Sequence, residues 1–565
     1  MSAELINIAK PDPVIARVSG LSISSESRFL VRDVSFEIRA GECVALVGES
    51  GSGKTLTTRS LLGLVPSGLS VEADELVLDG RDVRAFSPAE WRQLRGSSVG
   101  LVSQDALVSL DPLRRIGHEV AESLIVHRRN RVHAKNRRGG LSEERRVRVT
   151  GSQIRSRVLD TLTAVHMPDP QARWRSYPHE LSGGLRQRAL IAQGIVGSPS
   201  LLIADEPTTA LDSTLQARIL DLLRELKESG MAVLLVSHDL GMVAQIADRV
   251  LVMRRVPESG TISIVERGTP QQIMLAPRHE YTRHLVGALP TGSAPTETFG
   301  PTDTVTSDTP CLEVRNLHKD YRLPLGERVT AVSDVSFSLY PGTTLGIVGE
   351  SGSGKSTVAR IVMGLEKPDS GVVLLDGEEW SGLPERRRRP RRSRIQLIHQ
   401  DPYSALNPRR TVRQSVAEAL VKEPREGAER RVKYFLAQVG LAEDVASRFP
   451  AELSGGQRQR VAIARALAAE PMMLVCDEAV SALDVSIRAE ILQLLRGIQQ
   501  DTGLSLLFIS HDLAVVREMS HELIVMSRGK IVESGPTESV LAQPATNFTR
   551  ELIVHSTSLH AASDL

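Results

Sequence analysis

Two stretches, GESGSGKT at 48–55 and GESGSGKS at 349–356, set a lysine and a hydroxyl residue directly behind a glycine-rich turn. Each fits GxxxxGK[ST], in which glycines let backbone N–H groups converge on phosphate oxygens. The groups offered are Gly48, Ser50, Gly51, Gly53, Lys54 and Thr55 in the first copy. In the second they are Gly349, Ser351, Gly352, Gly354, Lys355 and Ser356. The lysine neutralises outer phosphates and the hydroxyl suits Mg²⁺. Further along, Asp205–Glu206 and Asp477–Glu478 close apolar runs. There the aspartate can hold Mg²⁺ or its water, and the glutamate can polarise an attacking water. Gln104 and Gln400 are suited to orienting water or magnesium, and His238 and His511 to donating a hydrogen bond to a terminal phosphate. The chemistry indicated is hydrolysis of a nucleoside triphosphate, written twice.

These residues need strands that end together and helices that begin there. Short apolar runs, CVALV before Lys54, LLIAD, and MAVLLVS before His238, read as buried strands. The intervening TLTTRSLLGLV and TLQARILDLLRELKESG read as helices, with Gly230 as a stop. The second half repeats the pattern in MMLVCD, SIRAEILQLLRGIQQDTG and LSLLFIS, so each half is an α/β domain. Lys54 and Lys355 lie 301 positions apart, Gln104 and Gln400 296, and Asp205 and Asp477 272. The shrinking offset places an insertion in the first half, near the basic stretch 126–149. The Thr- and Pro-rich stretch 291–310 reads as a flexible linker. The expected domains are therefore 1–290, each carrying its tail, and 311–565.

At 565 residues the chain exceeds one ordinary core. A net charge of +1 provides no global field for nucleic acid, and 3% aromatics argues against a base-stacking platform. Cys43, Cys311 and Cys476 are far apart and form no CxxC pair, so neither a disulfide framework nor a zinc or iron–sulfur site is indicated. Cys476 reads as buried and inert. The N-terminal MSAELINIAKPDP lacks an apolar signal core, and no apolar run reaches the ~20 residues that span a bilayer. A cytoplasmic chain is expected unless a partner holds it at a membrane.

LSGGLRQR at 181–188 and LSGGQRQR at 453–460 add a serine and two glycines, Ser182, Gly183, Gly184 and Ser454, Gly455, Gly456, at the start of a helix. With these the chain resembles the ATP-binding cassette (ABC) family over nearly its whole length, twice. The resemblance implies two tandem P-loop NTPase cassettes. Each would have a RecA-like α/β core, an antiparallel β subdomain and a helical subdomain carrying the signature. It further implies head-to-tail cassettes, each signature closing over ATP and Mg²⁺ held by the other, with Ala210–Asp212 and Ala482–Asp484 as linking loops. Fusing two cassettes makes that closure intramolecular. Leu185 replaces the glutamine usual after SGG, a change expected to have a modest effect. Tyr321 stands where the family stacks an aromatic on adenine, whereas the first copy has Ser25 near that place.

DALVSLDPLRRIG and DPYSALNPRRTVR, after the two glutamines, resemble the ATPases of bacterial peptide and nickel importers, with Ala106 and Asp111 departing from the usual proline and asparagine. The tails at 277–290 and 543–553 resemble the same group, with Glu280 where proline is common. The resemblance implies an ATPase peripheral to the cytoplasmic face of the inner membrane. One chain would supply both ATPase domains beneath two permease subunits, fed by an extracytoplasmic binding protein. Residues 104–117 and 400–411 would touch the permeases. The competing readings are a soluble tandem-cassette translation factor or nucleic-acid-associated ATPase, using the basic insertion 126–149 or the run RRRRPRRSR at 386–394, and import of nickel or another small solute.

Overall fold

The computed structural model describes residues 13–26, 28–104, 109–137, 150–208, 211–256, 259–288, 309–322, 328–401, 405–420, 423–481 and 483–560. The expected linker (but for 309–310), Ala106, Ala210, Ala482 and the second part of the basic insertion lie outside these. The chain forms two compact units, the first drawn mainly from residues up to Val286 and the second mainly from Gly287 to His560.

In the first unit, five parallel strands run in the order Val99–Val102, Leu201–Asp205, Ala232–Ser237, Cys43–Val47 and Arg249–Arg255, followed by the antiparallel Ile262–Gly268. Every residue of Cys43–Val47, Leu201–Asp205 and Ala232–Ser237 is buried. That accounts for their uninterrupted apolar sequence: a parallel strand covered on both faces has no solvent side to make polar. An antiparallel layer, Val14–Ser25 paired with Arg28–Arg39 and with Glu75–Leu78, continues the sheet to eleven strands. The join is the pairing of Ile262 with Val31.

The second unit repeats this as a six-stranded sheet, Ile395–Ile398, Met473–Asp477, Ser505–Ile509, Thr344–Val348, Glu522–Ser527 and Lys530–Pro536, with a separate four-stranded antiparallel sheet. Here Ser333 N–H donates to the Gly529 carbonyl, at 2.8 Å, where the first unit pairs strands.

A helical layer completes each unit. In the first it comprises Ile116–Arg137, Gly151–Ala164 and Gly183–Ile195, and in the second Val412–Ala417, Arg425–Gln438 and Gly455–Leu467. Much of the insertion extends a helix: Ile116–Arg137 has 22 residues against six in Val412–Ala417. The helix expected through TLTTRSLLGLV stops early, at Ser60. Gly63 adopts the left-handed φ of +60° and Leu64 N–H turns back to the Arg59 carbonyl at 2.9 Å, while a β-carbon at Gly63 would sit 2.5 Å from the Trp91 ring, so only glycine fits. Gly230 and Gly503 end their helices as left-handed residues (φ 96° and 67°).

Four of the seven arginines in the run at 386–394 are engaged within their own unit. Arg391 pairs with Glu378 at 2.9 Å, Arg392 with Glu385 at 2.6 Å and Arg394 with Asp376 at 2.5 Å. Arg388 and Arg392 lie 5.9 and 6.0 Å from the centroid of the Trp380 ring. Trp380 is fully buried and its indole N–H donates to the Val362 carbonyl at 2.8 Å. These four arginines tie the antiparallel sheet to the parallel core, while Arg386, Arg387 and Arg389 stay exposed. Trp380→Ala should destabilise the second unit by about 3–5 kcal/mol, read as a lowered denaturation midpoint.

Candidate functional site: two phosphate loops with their carboxylates

All the predicted side chains except Tyr321 and the signature triplets gather at the carboxyl ends of the parallel strands, the edge at which open α/β sheets bind ligands. The phosphate loop leaves Cys43–Val47, and Thr344–Val348 in the second unit. Gly48 and Gly349 adopt φ 150° and 153°. Gly51, Gly53, Gly352 and Gly354 are also at positive φ. Beta-carbons at Gly51 and Gly352 would meet nothing within 4 Å, so the loop opens to solvent there, beside exposed Ser50 and Ser351. A β-carbon at Gly354 would lie 2.3 Å from the Ala331 carbonyl oxygen, so the antiparallel layer closes the back of the loop.

Lys54 Nζ donates to the carbonyls of Gly48 (2.5 Å) and Glu49 (2.9 Å), and Lys355 Nζ to those of Gly349 (2.7 Å) and Glu350 (2.8 Å). Each ammonium also reaches the hydroxyl of a buried serine, Ser52 or Ser353, at 3.4 Å. Those serines were not singled out in the sequence, although their recurrence at matched positions is a signal. Burial pulls the Lys355 ammonium below its ordinary range, opposed by the charges of Glu478, Asp477 and Glu350. An anionic ligand in the loop would offset that penalty by favouring the charged ammonium.

Thr55 Oγ1 donates to Asp205 Oδ1 at 3.4 Å and Ser356 Oγ to Asp477 Oδ1 at 3.2 Å. Burial raises both aspartates above the ordinary carboxylate range, and the adjacent Glu206 or Glu478 charge pushes the same way. Two neighbouring carboxylates, half desolvated beside a hydroxyl, are a hard oxygen donor set that fits a divalent cation such as Mg²⁺.

Glu206 and Glu478 are held at φ 48° and 50°, uncommon for a non-glycine residue. Their N–H groups donate to the Val236 and Ile509 carbonyls on the adjacent strands, both at 2.9 Å. Gln104 Nε2 donates to Glu206 Oε2 at 2.8 Å, and Gln400 Nε2 to Glu478 Oε2 at 2.9 Å. His238 Nδ1 lies 3.4 Å from Glu206 Oε1, and His511 Nδ1 3.5 Å from Glu478 Oε2. Burial opposes ionisation of Glu478, but the His511 hydrogen bond with the His511 and Lys355 charges keeps its carboxyl below the ordinary range. Each histidine is set by the turn after it. Ser237 Oγ accepts from Asp239 N (2.9 Å) and Asp239 caps the next helix at Met242 N (3.0 Å), and Ser510 and Asp512 act in the same way.

Ser182 and Ser454 are the N-caps of Gly183–Ile195 and Gly455–Leu467, exposed in the helical layer and sharing no hydrogen bond with the carboxylate cluster of their own unit among the described residues. Ser454 is tied into a capping box, its Oγ accepting from Gln457 N at 3.2 Å and its N–H donating to Gln457 Oε1 at 3.1 Å. With Leu185 in place of that glutamine, Ser182 makes no side-chain cap bond. Gly183 and Gly455 are exposed, while β-carbons at Gly184 and Gly456 would press on Leu215 and Ile487 at 2.7 Å. Tyr321 lies near the end of Leu312–Arg322, paired with Val329 two residues before Ala331, with Lys319 Nζ 5.5 Å from its ring centroid.

Two phosphate loops, each with paired carboxylates and a serine–glycine helix start, are the pattern of an ATPase class, and the family model for ABC transporters matches residues 31–209 and again 332–481. The chain belongs to the ABC transporter family and is an ATP-hydrolysing, two-cassette member of it. Over 558 residues it is 41% identical to the glutathione import ATP-binding protein GsiA of Escherichia coli (strain K12), covering 93% of this chain and 86% of that protein. The GsiA of Shigella boydii serotype 4 (strain Sb227) matches to the same extent. The dimeric post-hydrolysis state of the ATP-binding cassette MJ0796 bound to ADP and Pi aligns with 40% of this chain and 98% of its own, at 30% identity and a TM-score of 0.38. Among the described residues no helix is long and apolar enough to cross a membrane.

Gly48→Ala and Gly349→Ala should each abolish nucleotide binding at the altered site in equilibrium titration. Gly51→Ala, which meets no neighbour, should cost only about 1–2 kcal/mol of backbone strain.

Proposed function

We propose that the chain is the ATP-hydrolysing motor of a bacterial importer of small peptides in the glutathione class, peripheral to the cytoplasmic face of the inner membrane. It would drive two permease subunits supplied by an extracytoplasmic binding protein. The observation that carries the reading is the 41% identity to glutathione import ATP-binding proteins across both copies and most of both chains.

In each site the phosphate-loop lysine, Lys54 or Lys355, and the loop N–H groups bind and neutralise the β- and γ-phosphates. Glu206 and Glu478 accept hydrogen bonds from the attacking water, strengthening its oxygen as a nucleophile. Gln104 and Gln400 fix the orientation of those carboxylates, and His238 and His511 donate to the γ-phosphate oxygens as charge builds there. Thr55, Asp205 and Gln104, with Ser356, Asp477 and Gln400, would hold Mg²⁺. Bound there, the ion supplies charge neutralisation to the phosphate oxygens. Ser182, Gly183 and Gly184, with Ser454, Gly455 and Gly456, complete ATP binding through helix N-termini, and Tyr321 stacks on adenine.

The stretch after Gln104 is suited to meeting a permease. Leu113 is 85% exposed and borders a shallow cleft with Arg114, Arg115, His118 and Tyr177. Asp111 Oδ1 accepts from Leu113 N at 2.9 Å, as Asn407 Oδ1 does from Arg409 N at 3.0 Å, so the departure from asparagine preserves the turn.

Glu206→Gln and Glu478→Gln together should lower ATP hydrolysis about 10²–10⁴-fold while ATP affinity is retained. Unchanged turnover in Glu206→Gln alone would contradict equivalent roles for the two glutamates. Affinity purification of the chain from native membranes should recover two permeases and a binding protein carrying a small peptide. Recovery with ribosomes instead would refute the transport reading.

A further inference from the structure

In the first unit the tail reaches the phosphate loop. Glu49 N–H, the second residue of the loop, donates to the Tyr281 hydroxyl at 3.0 Å. Tyr281 is 8% exposed and lies in the tail helix Glu280–Gly287, with the Arg254 guanidinium 5.0 Å from its ring centroid. Arg254 follows Met253, whose carbonyl oxygen sits against Gly48. The phenol is therefore set between the loop and the strand that backs it.

The tail is moored by Glu266, which accepts from Arg278 N (2.7 Å) and His279 N (3.0 Å). The second unit moors its tail in the same way: Glu533 accepts from Ala545 N (2.8 Å) and Thr546 N (3.2 Å). Counting on from these anchors, the residue matching Tyr281 is Phe548, packed on the apolar core. The residue matching Arg254 is Ser527. A phenylalanine has no oxygen to offer a loop N–H.

We propose that Tyr281 is a positioning residue of the first nucleotide site: its hydroxyl holds the Glu49 peptide and thereby preforms that phosphate loop, a support that the second site does without. The inference rests on the phosphate-loop reading above. A loop peptide left half-buried without its acceptor loses one hydrogen bond, and part of the cost falls on nucleotide binding, since the loop must be ordered to converge on phosphate.

The test uses the full-length chain carrying Lys355→Ala, which confines tight binding to the first site. Adding Tyr281→Phe should weaken ADP affinity about fivefold by titration calorimetry and raise KM for ATP by the same factor. It should leave kcat unchanged and lower the nucleotide-free unfolding midpoint by no more than the loss of one hydrogen bond allows. In the mirror background, Lys54→Ala, Phe548→Leu should leave ADP affinity unaltered. Equal ADP affinity with and without Tyr281→Phe overturns the inference alone, as does an equal loss from Phe548→Leu, which would reduce the effect to general tail packing. Absence of any ADP binding in Lys355→Ala overturns the first-site assignment along with it.

Discussion

A β-carbon at Gly48 would lie 2.3 Å from the Met253 carbonyl oxygen, and one at Gly349 2.2 Å from that of Met526. No side chain fits such a gap, and at φ near 150° none adopts the backbone readily. Glycine lets the central strand leave the sheet tight against its neighbour and swing into the loop. From that turn follow the inward carbonyls that Lys54 and Lys355 bind, and the start of the helices that set Thr55 beside Asp205 and Ser356 beside Asp477. Widening the gap would displace the lysine and the hydroxyl together.

The second constraint is electrostatic. Each unit places two carboxylates in succession at a strand end, the aspartate raised by burial and by its neighbour. The glutamate is bent into the left-handed region and held there by an N–H bond to the adjacent strand. Backbone strain of this kind costs about 1–3 kcal/mol and persists where the surroundings over-determine it. Here the bend separates the roles: the aspartate points to the loop hydroxyl, while the glutamate meets glutamine and histidine from other strands.

Much of this was legible in the residues. CVALV and LLIAD coincide with buried strands because parallel strands leave no polar trace to misread. The motifs were legible because two copies repeat them in order. What escaped were features that depend on neighbours distant in sequence. The helix after Lys54 ends early at a left-handed Gly63, a position that Trp91, nearly 30 residues on, closes to any side chain. The arginine run read as a candidate phosphate contact, yet Glu378, Glu385, Asp376 and Trp380 engage four of its seven arginines, and charge counting cannot see pairing across a fold. Tyr281 left no repeat signal because its counterpart is Phe548.

The unequal caps of the two signature helices, Ser454 in a reciprocal box and Ser182 without one, have an evolutionary corollary. In a homodimer a single codon writes both halves, so every change is felt in duplicate and symmetry is enforced at the gene. Covalent tandem duplication lifts that rule. Each half drifts under its own selection, and one serine hydroxyl can remain unlatched while its twin stays fastened.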